Sequence, residues 1–132
     1  MSQQKDGSHT RLFDFYVLFR TKGRQKFSDF DTNEILSNAI EEIANNDTIK
    51  VLDGFIEHDH LYLILSISPC IDINRLVEVI KRQTAQSIRY GDRLWEKGYF
   101  CCNAKEVTPK MIKNYLESPW PGIDDEEHTV EG

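Results

Sequence analysis

Three groups of residues in this chain could do chemistry. The first is the run Glu57-His58-Asp59-His60, followed by Tyr62. Alternate residues of a β-strand share a face, so a His-x-His triplet offers two neighbouring imidazoles. Such a pair can hold a divalent metal, and Glu57 and Asp59 would add carboxylates of the kind that suit Mg²⁺. The plain alternative is a hairpin turn, which Asp59 between the two histidines favours. The second group is basic. Arg20, Lys22, Arg24 and Lys26 flank one polar connection, and Arg75, Lys81, Arg82 and Arg89 dot a later segment. Either set could bind phosphates. Phe15, Tyr16, Trp95, Tyr99 and Phe100 could stack bases, although aromatic residues on strands more often build core. The third group is Cys70, Cys101 and Cys102. An odd count argues against a disulfide framework, and two adjacent cysteines on a strand point to opposite faces, which makes a poor zinc pair.

Charge bears on which partner these residues could serve. The net charge is −6, which taken alone disfavours nucleic acid. Its distribution matters more than its sum. Five carboxylates (Asp124, Asp125, Glu126, Glu127 and Glu131) crowd the last ten residues. Residues 1–27 carry +4, residues 75–113 carry +5, and residues 28–60 carry −8. Segregated charge permits one basic surface, and it equally permits well-solvated helix faces. The longest apolar run, Leu61 to Ile67, has the length of a strand and not of a membrane span. Residues 1–10 are polar, without the apolar core of a signal peptide. A cytoplasmic protein without a membrane segment is expected.

Seven elements must position these residues. Arg11 to Arg20 is aromatic and β-branched and reads as a strand. Asp31, with Glu34 three residues on, predicts the start of a helix that runs to about Asn45. Its Ile35, Leu36, Ala39, Ile40 and Ile43 fall on one face. Two strands follow, Ile49 to Glu57 and His60 to Ile67, turning at His58-Asp59. Asp72 caps a helix reaching about Tyr90, with Leu76, Val77, Ile80, Thr84 and Ile88 on one side and Gly91 as its C-terminal stop. Leu94 to Cys102 reads as a fourth strand broken at Gly98. Thr108 and Pro109 open a last short helix that ends before Pro119. The order β-α-β-β-α-β-α predicts an α+β, ferredoxin-like (RRM-like) antiparallel sheet with helices on one face. One domain is expected over residues 11–118, between a flexible N-terminus (1–10) and an acidic flexible tail (119–132). This fold hosts many activities and decides none of them.

Three segments narrow the field. They are Phe15-Tyr16-Val17-Leu18-Phe19 with Thr21-Lys22-Gly23-Arg24-Gln25-Lys26; then Asp59-His60-Leu61-Tyr62-Leu63-Ile64-Leu65-Ser66-Ile67; then Leu94-Trp95-Glu96-Lys97-Gly98-Tyr99-Phe100, Val107-Thr108 and Lys113-Asn114-Tyr115-Leu116-Glu117. In this order and spacing the chain resembles the single-tyrosine HUH transposases of small bacterial and archaeal insertion sequences, and the REP-associated tyrosine transposases. The resemblance spans about residues 11–118.

That resemblance implies a DNA transposase which binds hairpins in single-stranded DNA, cleaves through a 5′-phosphotyrosine and rejoins the strands. It implies a homodimer that exchanges the tyrosine helix. Tyr115 matches the nucleophile. A divalent metal, Mg²⁺ or Mn²⁺, would polarise the phosphate. His60 matches its first histidine ligand. The second histidine position holds Tyr62, and the position one helical turn past Tyr115 holds Pro119 where a polar ligand is usual. His58 could shift the histidine pair back along the strand. On residues alone Tyr115 could equally pack a short amphipathic helix against the sheet. Two functions therefore stand side by side, a metal-dependent transposase and a relative that binds single-stranded nucleic acid without chemistry. An unrelated ferredoxin-like interaction domain is a third.

Overall fold

The computed structural model describes residues 11–24, 30–44, 46–57, 59–88, 94–119 and 130–131. Its elements are β1 (Phe13–Arg20), a 3-10 turn (Lys22–Arg24), α1 (Phe30–Ile43), β2 (Ile49–Ile56), β3 (His60–Ile67), α2 (Ile73–Ser87), β4 (Phe100–Asn103), α3 (Pro109–Glu117) and the short β5 (Val130–Glu131). The strand order is β2-β3-β1-β4-β5. Each neighbouring pair among the first four strands is antiparallel, which is the ferredoxin-like arrangement expected from the element order.

Strand alternation divides the molecule into two layers. Val17 and Phe19 of β1, with Leu61, Leu63, Leu65 and Ile67 of β3, face α1 and α2. Those helices bring Ile40, with Ala44 just past the end of α1, and Leu76, Val77, Ile80 and Ala85, to the same cluster. Tyr16 and Leu18, one residue out of step, face the other way with Phe100 and Cys102 and meet Tyr115 of α3. Helices on one face thus describes the two helices of the split β-α-β units. The third helix covers the opposite face. Its amphipathic side, Met111, Ile112, Tyr115 and Leu116, finds apolar surface there that would otherwise be wet.

Helix ends follow the capping signals in two cases of three. Asp72 accepts hydrogen bonds from the amides of Asn74 (2.9 Å) and Arg75 (3.4 Å). Thr108 accepts from Met111 N–H at 3.2 Å, with Pro109 in the first turn. For α1 the expectation is corrected. The helix already includes Phe30, so Asp31 lies in its first turn and is not its cap. Ile35 is exposed, unlike Leu36, Ala39 and Ile40. α2 stops at Ser87 with Ile88 as its cap, short of Tyr90, and Gly91 lies outside the described residues.

The fourth strand is also shorter than expected. Regular pairing begins only at Phe100, because Gly98 takes a φ of 82° that breaks the extended path. Upstream, Trp95 makes an isolated bridge to Thr21. Within the segment expected to form the tail, two residues are paired. Val130 and Glu131 pair in parallel with Phe100 and Cys101, covering an edge that would otherwise be open. The segments 1–10 and 120–129 lie outside the described residues.

Candidate functional site

The α3 face carries the residues matched to the nucleophile and to the histidine positions. His60 and Tyr62 lie there, because β3 pairs Arg20 with His60 and Leu18 with Tyr62. β3 begins at His60, and the amide of Glu57 donates to His60 O at 2.9 Å, closing a tight hairpin. Asp59 therefore lies outside the strand, in the connection that leads into it. His58 itself lies outside the described residues. His60 Nδ1 is 3.0 Å from Asp59 Oδ1. Tyr62 stacks on Tyr16, with ring centroids 5.2 Å apart and planes 17° from parallel, and Phe55 approaches its other side at 6.2 Å. Tyr62 therefore sits in an aromatic row. Burial, with Asp53 and Glu57 nearby, raises its hydroxyl above the usual phenol range. Burial likewise pushes Tyr16 up to about 12.

Tyr115 is buried, 6% exposed, with its ring against Phe100. Its hydroxyl donates to Glu96 Oε2 at 3.2 Å. Burial raises its pKa, and the Glu96 charge raises it further against the opposing pull of Arg20. A phenol held protonated in this way is a weak nucleophile at neutral pH.

Arg20 corrects a sequence expectation. Placed with the phosphate-binding cations, it has no solvent exposure at all. Its Nε and Nη2 pair with the Glu96 carboxylate, the latter at 3.2 Å to Oε1. Its Nη1 donates to Tyr115 O at 2.8 Å and to Ser118 O at 3.0 Å. Its guanidinium lies 4.4 Å from the centre of the Tyr115 ring. A buried guanidinium needs such a set of acceptors, and phosphate binding would require breaking it.

The remaining cations are scattered. Lys22 is exposed at the end of β1 and stays available to a phosphate. The backbone of Arg24 is in the 3-10 turn, and Lys26 and Arg89 lie outside the described residues. Arg82 is exposed on α2, across the sheet from Tyr115, so it cannot share a phosphate surface with that residue. Lys81 turns inward. It donates to the carbonyls of Glu96 (2.9 Å) and Gly98 (2.6 Å), and burial pulls its pKa down to about 8. The stacking candidates resolve as core: Tyr16, Trp95, Tyr99 and Phe100 are all buried. Trp95 donates to Thr84 Oγ1 at 2.8 Å. Cys101 and Cys102 are buried and Cys70 is exposed, none of them in a disulfide.

Glu96 is the residue that sequence reading missed. The available signal was Arg20, a cation ending a strand of apolar and aromatic residues, for which a buried carboxylate was the natural partner.

Residues 10–119 match the family model for IS200-like transposases. The chain belongs to the IS200-like transposase family. Among relatives, it is 21% identical to the ISDra2 transposase TnpA of Deinococcus radiodurans, a match covering 89% of this chain and 91% of that protein. The fold superposes on the crystal structure of a candidate transposase from the same organism, with TM-score 0.73 and 19% identity, over 89% of this chain and 96% of that one. It also superposes on a REP-associated tyrosine transposase bound to a REP hairpin, with TM-score 0.58 and 11% identity, over 79% and 62% of the two chains.

For this IS200-like transposase, the metal that the family resemblance implies can be tested against the donors present. Among the described residues no group of three His, Cys, Asp or Glu side chains could hold a metal ion. At the matched positions, His60 offers one imidazole, Tyr62 is a protonated and stacked phenol, and the side chain of Pro119 has no ligand atom. This set does not fit Mg²⁺ or Mn²⁺, which want several oxygen or imidazole ligands. No helix among the described residues is long and apolar enough to cross a membrane.

Proposed function

We propose that this chain binds single-stranded DNA carrying a hairpin, and that it does so without a catalytic metal. The observation that carries this reading is the state of the α3 face. One imidazole remains of the metal set, and the tyrosine that matches the nucleophile is buried against Glu96 and Arg20. Membership of the transposase family and the hairpin complex of a structural relative supply the class of ligand. Lys22, Arg24 and Lys26, at and beyond the end of β1, are the cations proposed to meet the backbone, through contacts that weaken as salt rises.

A second reading, strand cleavage and rejoining through a 5′-phosphotyrosine on Tyr115, is favoured by one observation. The Tyr115 hydroxyl stands 3.2 Å from a carboxylate able to accept its proton. That reading needs the hydroxyl to reach a phosphate, and hence α3 to shift. It also carries the expectation of a homodimer, which light scattering of the purified protein checks directly.

One experiment separates the two. Purified protein is incubated with labelled hairpin-bearing single strands, with Mn²⁺ or with chelator, beside Tyr115→Phe. The binding reading expects a shifted native complex that is indifferent to metal and to Tyr115→Phe, with no covalent band on a denaturing gel. A covalent protein–DNA band that requires Tyr115 would establish the second reading. No complex of either kind across a library of hairpins would sink both.

A further inference from the structure

The Arg20–Glu96 pair has a geometry that neither DNA binding nor core packing requires. The sequence places a cation at the last position of an apolar strand and an acid inside Trp95-Glu96-Lys97-Gly98. The two are far apart in the chain, and both are buried, at 0% and 4% exposure. Burying two ions costs more than an apolar pair of the same size would, so the pair is weak evidence for a stability role. What the ions reach is more informative.

Arg20 is bonded to the end of α3. Its Nη1 donates to Tyr115 O and to Ser118 O, and it also lies 3.1 Å from Ser118 Oγ. Nη2 reaches toward Pro119 O at 3.5 Å. Tyr115 O also accepts from the N–H (3.1 Å) and Oγ (2.7 Å) of Ser118, and the Arg20 cation adds to these caps while complementing the helix dipole. Glu96 takes the other end of the same unit, the Tyr115 hydroxyl, at 3.2 Å. Glu96 is itself fixed from behind. Its amide donates to Arg20 O at 3.0 Å, and Lys81 holds its carbonyl and that of Gly98. One residue of α3 is therefore gripped at both its backbone carbonyl and its hydroxyl by two partners that also grip each other.

We propose that Arg20 and Glu96 are positioning residues forming a buried latch, which holds α3 down on the sheet and keeps the Tyr115 hydroxyl turned into the fold. In the latched state Tyr115 is closed to a DNA backbone, and any contact between them requires α3 to leave Arg20. This deepens the proposed function and rests on it, since it gives a physical means by which a tyrosine at the family's nucleophile position is withheld from DNA. Its test uses no DNA, so failure of the latch and failure of hairpin binding are distinguishable.

The latch is tested by tyrosine accessibility. The full chain is treated with tetranitromethane at constant pH, and nitration of each tyrosine is followed by peptide mass spectrometry. Tyr16 is also buried, on the same face, but touches neither latch residue in any bond described above, so it reports whether the fold survives. In the unaltered protein both tyrosines should react slowly. In Glu96→Gln, which keeps the shape and removes the charge, Tyr115 should nitrate at least about tenfold faster while Tyr16 stays slow. Equal protection of Tyr115 in both proteins would overturn the latch. Where Glu96→Gln exposes Tyr16 as well, the double variant Arg20→Met/Glu96→Leu decides, because it removes both ions and keeps an apolar filling. That variant should hold β1 and β3 amides against hydrogen exchange as the unaltered protein does, and lose protection in α3 by tenfold or more. Unchanged exchange in α3 would show that apolar packing alone keeps the helix in place, and the proposal would fall.

Discussion

The two faces of this sheet are made by the same strands and hold their helices by different means. On the face toward α1 and α2, β1 and β3 present Val17, Phe19, Leu61, Leu63, Leu65 and Ile67, and the partners are aliphatic residues of two long helices. Burial of apolar surface suffices there, at about 1.5–3 kcal/mol for each large side chain removed from water. On the other face a nine-residue helix must stay down with Tyr115 as its one buried residue. Such a helix is too short to be stable alone. There the fold adds a buried ion pair aimed at the helix terminus. The difference is that one layer rests on apolar burial throughout, while the other combines the apolar side of a short helix with a few directional bonds to its end.

Four measurements sharpen or break that comparison. The largest effect is expected from Arg20→Met with Glu96 intact, which strands a buried carboxylate. Urea unfolding should show a loss of about 3–5 kcal/mol, and a loss under 1 kcal/mol would mean that Glu96 finds water or another cation. Next is Leu65→Ala on the α1/α2 face, expected to cost about 2–5 kcal/mol through the cavity it leaves. Here protection of α3 amides relative to β1 should not change. Selective opening of α3 would show that the two layers are not separately fastened.

A pH titration gives the third. Lys81 has a folded pKa of about 8 against an ordinary value of 10.5. Between these values the unfolded chain binds more protons, so stability should rise as pH goes from about 8 to about 10 and be flat for this group below 8. The gain expected is about 1–2 kcal/mol, read from urea midpoints. Lys81→Met should abolish the slope, and a variant that keeps it would place the titration elsewhere. The smallest effect belongs to Thr108→Ala. Loss of its hydrogen bond to Met111 N–H should cost about 1 kcal/mol and fray α3 from the end opposite the latch. If hydrogen exchange instead shows the Ser118 end loosening first, the grip of Arg20 on that end is weaker than its geometry implies.

Much of the fold could be read directly because it rests on local rules. Alternation located β1 and β3, and β3 begins and ends at His60 and Ile67 as expected. Asp72, Thr108 and Pro109 marked two helix starts through groups within three residues of each other. The family could be read as well, since its motif residues are ordered along the chain. What failed had a distant or conformational cause. Leu94 to Tyr99 has the composition of a strand, but a positive φ at Gly98 and the inward pull of Lys81 on two carbonyls keep it irregular.

Arg20 shows the limit most clearly. By type and position it is a cation next to a basic loop, and a phosphate contact was the reasonable expectation. By itself the sequence determined the element order, the alternation of faces, the family and the absence of a full donor set at positions 60, 62 and 119. Only the tertiary structure decided that Arg20 points inward, that Glu96 meets it, and that the two close around Tyr115. The physical reason is that capping and alternation depend on neighbours in sequence, whereas the partner of a buried charge is chosen by whichever strands the sheet brings side by side.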